Sequence, residues 1–321
     1  MRILILVSCF AVGCTGRAVS PTKSDPSACH GERRALVIAR QMPLTIARVG
    51  GVEGLFVLDT ATTASTIDVT AFATTPKPVA GTSDDYEPFE FYGSWGRVHL
   101  NGNRHRGLAG LVKVAGLIGT DFLSRHVYTF DYEHSAVYRS EAREFCNDDV
   151  LLREGLRPLS SEGYYVADLA RLRPESPNVP TVPIRIGGVS SVAQIDTAFT
   201  DSMIRHSVNI NRALLNALVA AGVKLTRAEG IPLSTCVPGV SETTYVYRGT
   251  ARFELVSTDG VAARFSDDAT YLLKETPKAA QHCGGIGTWS TPAAQIGASF
   301  YVDAGRMVFD PFSSRVWVPK G

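Results

Sequence analysis

The sequence predicts a predominantly β fold with few short helices, made of two copies of one unit. Three observations carry this expectation. Residues 43–67 (PLTIARVGGVEGLFVLDTATTASTI) align without a gap on residues 180–204 (PTVPIRIGGVSSVAQIDTAFTDSMI), 137 positions later, with 11 of 25 residues identical. A Gly-Gly pair follows the first apolar run of each copy, at Gly50-Gly51 and Gly187-Gly188, as a tight hairpin requires. The other apolar runs, among them Thr45–Val49, Leu55–Leu58, Val182–Ile186 and Thr244–Tyr247, are short, rich in β-branched residues and bounded by Gly, Pro or Asn. That suits strands of about five residues.

The 321 residues are enough for about two domains of roughly 150 residues each. Met1 and Arg2 precede the apolar run Ile3–Val12, ten residues that are too few to span a bilayer, so residues 1–13 are expected to be a signal peptide. The run ends in Ala11-Val12-Gly13-Cys14, which resembles the bacterial lipoprotein box and makes Cys14 the candidate lipidation site. The alternative is an ordinary signal cut near the same place. Residues 14–35 are expected to form a flexible tether, polar and with two prolines at its start. Residues 36–152 and 153–321 then form an N-terminal and a C-terminal half. This places the chain outside the cytoplasm, in a periplasm or on a cell surface as a lipoprotein, or secreted, with membrane contact only through the lipid.

Once Cys9 and Cys14 are set aside, Cys29, Cys146, Cys236 and Cys283 remain, an even number in a compartment that permits oxidation. Three connectivities are open. Cys29–Cys146 with Cys236–Cys283 is preferred, because each pair then lies within one half. No CxxC or HExxH spacing suggests a metal. With 32 Lys and Arg against 31 Asp and Glu, a net charge of +1, no strong field favours nucleic acid.

Further along, Asn209–Ala221 has helical spacing of Ile210, Leu214 and Leu218, with Asn209 as cap and Gly222 as stop. The proline-rich stretch Arg171–Val182 reads as a loop. A second matching pair, residues 118–138 and 296–318, aligns Gly119 with Gly297, Phe122 with Phe300 and Phe130-Asp131 with Phe309-Asp310. It predicts that each unit closes with a short helical turn and a hairpin. Asp131 and Asp310 take turn roles, and His99, His105 and His134 are scattered without ligand spacing.

The chemistry lies in Asp59-Thr60-Ala61 and Asp196-Thr197-Ala198, each directly after an apolar strand. A carboxylate there is costly unless compensated, and its recurrence in both copies points to a function. If the copies pack about a pseudo-two-fold axis, Asp59 and Asp196 meet. Two such carboxyls hold one proton between them and supply acid and base together, a pattern for which aspartic proteases are the established example.

These motifs resemble the two-lobed pepsin-like or retropepsin-like aspartic peptidases. Members carry Asp-Thr/Ser-Gly twice and a hydrophobic-hydrophobic-Gly turn later in each lobe; here the turns are Leu117-Ile118-Gly119 and Gln295-Ile296-Gly297. The resemblance covers residues 36 to 320 and implies a bilobal fold with pseudo-two-fold symmetry and a cleft between the lobes. It also implies a monomeric endopeptidase acting on peptide or protein substrates, without metal or cofactor. Asp59 and Asp196 would hold the attacking water, Thr60 and Thr197 would bond across the lobe junction, and Ala61, Ala198, Thr62, Gly119 and Gly297 would support them. A flap tyrosine is expected at Tyr92, in the Gly-rich run 91–96, with Tyr86 as competitor. The chain departs from the family pattern at three places. Ala replaces Gly in both Asp motifs, Phe199 stands where a small or hydroxyl residue is usual, and Gln295 replaces an apolar residue. A catalytically inactive binding or inhibitor protein with the same fold is the alternative reading.

Overall fold

The computed structural model describes residues 26–70, 72, 76–105, 108–163, 178–200, 204, 206–235, 237 and 239–321. The signal peptide, Cys14, Cys236, the Cys283 side chain and residues 171–177 of the expected loop lie outside what is described. The described residues are mostly strand, in three sheets, with four short α-helices.

An eight-stranded sheet runs in the order Val37–Ala39, Met42–Val49, Val52–Leu58, Val114–Ile118, Thr66–Asp68, Val98–Asn103, Ser83–Tyr86, with Phe89–Glu90 added beside Met42–Val49. A nine-stranded sheet contains Thr181–Ile186, Val189–Ile195, Ala293–Ile296, Ser207–Asn211 and Thr270–Lys274 as consecutive neighbours. Five strands of each sheet share one series of pairings: antiparallel, parallel, antiparallel, parallel. The duplicated sequence therefore folds into duplicated pairings. Both opening hairpins turn on two left-handed residues, Gly50 and Gly51 (φ 58° and 79°) and Gly187 and Gly188 (φ 53° and 90°). Side chains with a Cβ disfavour that conformation, which is why glycine recurs there.

A six-stranded sheet joins the halves. Its order is Glu32–Ala35, Ala136–Ser140, Val127–Asp131, Arg306–Asp310, Arg315–Pro319, Leu156–Ser160. The two closing hairpins expected from the second repeat lie side by side, with Phe130 opposite Met307. Phe130 and Phe309, equivalent in the repeat, meet edge to face at 5.2 Å, and Arg306 pairs with buried Asp131 across the same seam.

Three boundaries differ from expectation. The tether ends earlier than residue 35, because Cys29 is bonded to Cys146 and Glu32–Ala35 pairs with Ala136–Ser140. The helix runs Arg212–Ala220 and is capped by Asn211, whose Oδ1 accepts from the Leu214 amide at 2.9 Å. Asn209 and Ile210 instead complete the buried strand Ser207–Asn211. In the Asn-Ile-Asn sequence either asparagine could cap, and strand pairing claimed the first. Finally, Thr181 and Val182 belong to a strand rather than a loop.

Candidate active site

Asp59 and Asp196 sit one residue beyond the strands Val52–Leu58 and Val189–Ile195. Each backbone amide continues the parallel pairing, Asp59 N–H donating to the Ile118 carbonyl (2.9 Å) and Asp196 N–H to that of Ile296 (3.0 Å). Each acid is thereby fixed beside a Gly turn. Three positions later the chain crosses that turn again: Thr120 N–H donates to the Thr62 carbonyl (2.9 Å), and Ala298 N–H to the Phe199 carbonyl (2.8 Å). A Cβ on Gly119 would lie 2.6 Å from the Thr62 carbonyl oxygen, and one on Gly297 2.5 Å from that of Phe199. No side chain fits at either place.

Thr60 and Thr197, both fully buried, lock the copies together reciprocally. Thr60 N–H donates to Thr197 Oγ1 (3.0 Å) and Thr197 N–H to Thr60 Oγ1 (3.3 Å). The Thr60 hydroxyl donates to the Ile195 carbonyl (2.8 Å), and the Thr197 hydroxyl to that of Leu58 (2.6 Å). Every bond has its counterpart in the other copy. The two carboxyls are thus held at neighbouring strand ends.

Within the motifs, Ala61 N–H donates to Asp59 Oδ1 (2.8 Å), while Asp196 Oδ1 accepts from both Ala198 N–H (2.9 Å) and Phe199 N–H (2.7 Å). Asp59 is 7% exposed and Asp196 is half-buried. Burial raises the Asp59 pKa above the ordinary carboxylate value, against the lowering effect of the Ala61 and Thr62 amides. At Asp196 burial acts in the same direction and the Asp59 charge adds to it, so the two groups feel each other. The methyl of Ala198 packs against the apolar cluster of Met42, Leu44 and Val57, which accommodates the extra carbon.

Four residues make contacts in the site that the sequence did not announce. Gln295 Nε2 donates to Asp196 Oδ2 (2.6 Å), and Asn209 Nδ2 donates to Gln295 Oε1 (2.8 Å). Tyr301 donates to the Ile296 carbonyl and accepts from Asp196 N–H (3.1 Å). Asp121 anchors the first motif by accepting from Ser65 N–H (2.9 Å) and the Ser65 hydroxyl (2.7 Å), whose oxygen accepts from Gly119 N–H (2.9 Å). Ser65 was visible as a repeat identity; its partner was not. A pocket of about 140 Å³ opens beside Gln295, lined also by Thr235, Thr276, Ile286 and the paired Lys274 and Glu242.

Tyr92 lies in the turn closed by the bridge between Glu90 and Ser94, with its ring packed inward. It is 3% exposed, its hydroxyl donates to the Val137 carbonyl (2.6 Å), and its own carbonyl accepts from Arg139 (2.7 Å). These contacts hold it at φ 54° and turn the ring inward against Phe91 and Tyr128. Tyr86, the competitor, is buried as well. Among the described residues no cluster of His, Cys, Asp and Glu is arranged to hold a metal ion, and no helix is long and apolar enough to cross a membrane. The chain matches no protein-family model and no curated protein.

Proposed function

We propose that this chain is an extracytoplasmic aspartic endopeptidase of the pepsin-like type, two lobes about a pseudo-two-fold axis with the cleft at their junction. The observation that carries the reading is the reciprocal Thr60–Thr197 lock beneath two mutually repelling carboxyls, Asp59 buried and Asp196 half-buried. The shared strand pairings support the two-lobed symmetry, and the Cys29–Cys146 disulfide agrees with an oxidising compartment.

One carboxyl of the pair is protonated and the other ionised. The ionised member takes a proton from a water as it attacks the peptide carbonyl, and the protonated member stabilises the developing oxyanion by donating to it. The threonine lock keeps the acids at a fixed separation, which matters because small misplacement costs much rate.

A second reading, a binding or inhibitor protein of the same fold without catalysis, is favoured by Gln295, which occupies an oxygen of Asp196. The chain from Lys23 onward, incubated with an unfolded protein between pH 3 and 7, separates the two. A peptidase cleaves it, and Asp59→Asn or Asp196→Asn each abolishes cleavage. Unchanged cleavage in either variant, or none in the unaltered chain, contradicts the proposal.

A further inference from the structure

The two copies differ in what stands beside the acids. In the first, Leu117 precedes the Ile-Gly turn and, like Ala198, packs against the apolar cluster of Met42, Leu44 and Val57. In the second, the equivalent residue is Gln295, and the pocket of about 140 Å³ opens beside it. The wall of this pocket depends on a strand that the first copy lacks. The first copy's sheet ends at Ser83–Tyr86, whereas the second continues past the equivalent strand, Ser241–Gly249, to Leu225–Ser234. At the closed end of that hairpin Thr235 is tied to the Val240 carbonyl by its amide (3.1 Å) and its hydroxyl (2.8 Å), and it lines the pocket with Glu242, Lys274, Thr276, Ile286 and Gln295. Most of these side chains are polar. Glu242 is 6% exposed and accepts from Lys274. An ammonium carries three N–H groups and a carboxylate two acceptor oxygens; their mutual bond, Nζ to Oε1, takes one of each. Gln295 Nε2 has a second N–H besides the one given to Asp196. The pocket therefore offers donors and an acceptor within one small volume, around a pair with no net charge.

We infer that this pocket receives the carboxamide side chain of a glutamine or asparagine flanking the scissile bond, with Lys274 and Glu242 as the specificity-determining residues. The inference rests on the peptidase reading and names its substrate class. Gln295 touches Asp196 directly, so the pocket lies one side chain away from the acids. Its volume is well below the about 300–1,000 Å³ of a small-molecule site, and it suits a single side chain.

The same residues disfavour the other side-chain classes. An apolar group would strip water from Lys274 and Glu242 and give them no partner in exchange. A carboxylate would meet Glu242 and the two site aspartates, and a cationic head would meet Lys274; neither finds a counter-charge that is not already paired. A carboxamide adds no charge. Its oxygen accepts from Lys274 and its NH₂ donates to Glu242, so it uses the bonding capacity that the ion pair leaves over. A site built to bond such a group rejects an isostere that lacks it far more strongly than an apolar pocket discriminates by size.

The test offers the full chain a mixed peptide library and reads the cut sites by mass spectrometry. Gln or Asn is expected to be enriched over Leu, Glu and Lys at one position flanking the cut. Matched peptides with Gln or Leu at that position then give a kcat/KM at least about tenfold higher for Gln. Replacing the ion pair by apolar residues, Glu242→Leu together with Lys274→Met, leaves no single charge buried alone and lowers that Gln-to-Leu ratio at least about tenfold. If the double variant does not fold, the preference of the unaltered chain decides. Cleavage that favours Leu, or that favours no amide at any flanking position, overturns the inference while the peptidase reading stands, as does an unchanged ratio in a folded double variant. A chain that cleaves nothing removes the peptidase reading. Fluorescence polarisation with labelled hexapeptides, identical except for Gln or Leu at the two central positions, then reads the pocket by itself: tighter binding of the Gln peptide upholds its selectivity, and equal or absent binding overturns it.

Discussion

Replacing Thr197 by Val removes one hydroxyl and almost no volume, so it isolates the hydrogen bonds of the lock. Thr197 Oγ1 both donates to the Leu58 carbonyl and accepts from Thr60 N–H, and all three residues are fully buried. Each buried group deprived of its partner costs about 1–3 kcal/mol. Two such losses, partly relaxed, amount to about 3 kcal/mol. In a chain of this size that lowers Tm by roughly 4–6 °C. Thr197→Ser keeps the hydroxyl and is expected within about 1 kcal/mol of the unaltered protein. Because the mirror-image bonds of Thr60, to the Ile195 carbonyl and from Thr197 N–H, belong to the same interlocked network, Thr60→Val and Thr197→Val should be non-additive, with a coupling of about 1–3 kcal/mol. Calorimetry and circular dichroism on the four proteins of the cycle measure this directly. A Thr197→Val cost under about 1 kcal/mol, or strictly additive costs, would refute the claim that these hydroxyls hold the halves together.

Other expectations concern charge, the inward tyrosine and the cysteines. Burial raises the folded-state pKa of Asp59, so the folded protein binds more protons than the unfolded chain. The stability from this group is present below the unfolded pKa and lost as pH climbs through the folded one. Asp59→Asn should therefore stabilise the fold at pH 7–8, by up to about 3 kcal/mol for a rise to about 6, and give no gain below pH 4; a gain independent of pH, read as the Tm difference across that range, contradicts this. Tyr92→Phe should cost about 1–2 kcal/mol through the lost bond to Val137 and leave cleavage kinetics unchanged; a large fall in kcat with unaltered Tm would return Tyr92 to a flap role. Non-reducing peptide mapping should recover Cys29 linked to Cys146 and Cys236 linked to Cys283, whose chain neighbours Thr235 and Gly284 line one pocket. Free thiols at both of the latter positions would exclude the second bridge.

The repeat was legible because its constraints are local and severe. Gly119 and Gly297 admit no Cβ, and the Gly-Gly hairpins need two left-handed residues, so those positions kept their identities in both copies. Side-chain destinations were harder to read, since they depend on what the fold brings alongside. Nothing near Tyr92 in the chain announces the Val137 carbonyl 45 residues later. Asn209 had helical spacing and a capping residue type, but its strand lies between Thr270–Lys274 and Ala293–Ile296, segments more than 60 residues away. Phe199 and Gln295 were visible as two separate departures from the family pattern. Only their convergence on Asp196 in three dimensions turns them into one arrangement.

The account stands on two acids acting as a unit, and the pH dependence of kcat/KM for cleavage of a short peptide tests this most directly. A pair that must hold one proton gives a bell, falling in acid as the second carboxyl is protonated and falling again as the shared proton is lost. A rate that rises to a plateau with a single ionisation, or one that persists when either Asp59 or Asp196 becomes asparagine, would contradict it.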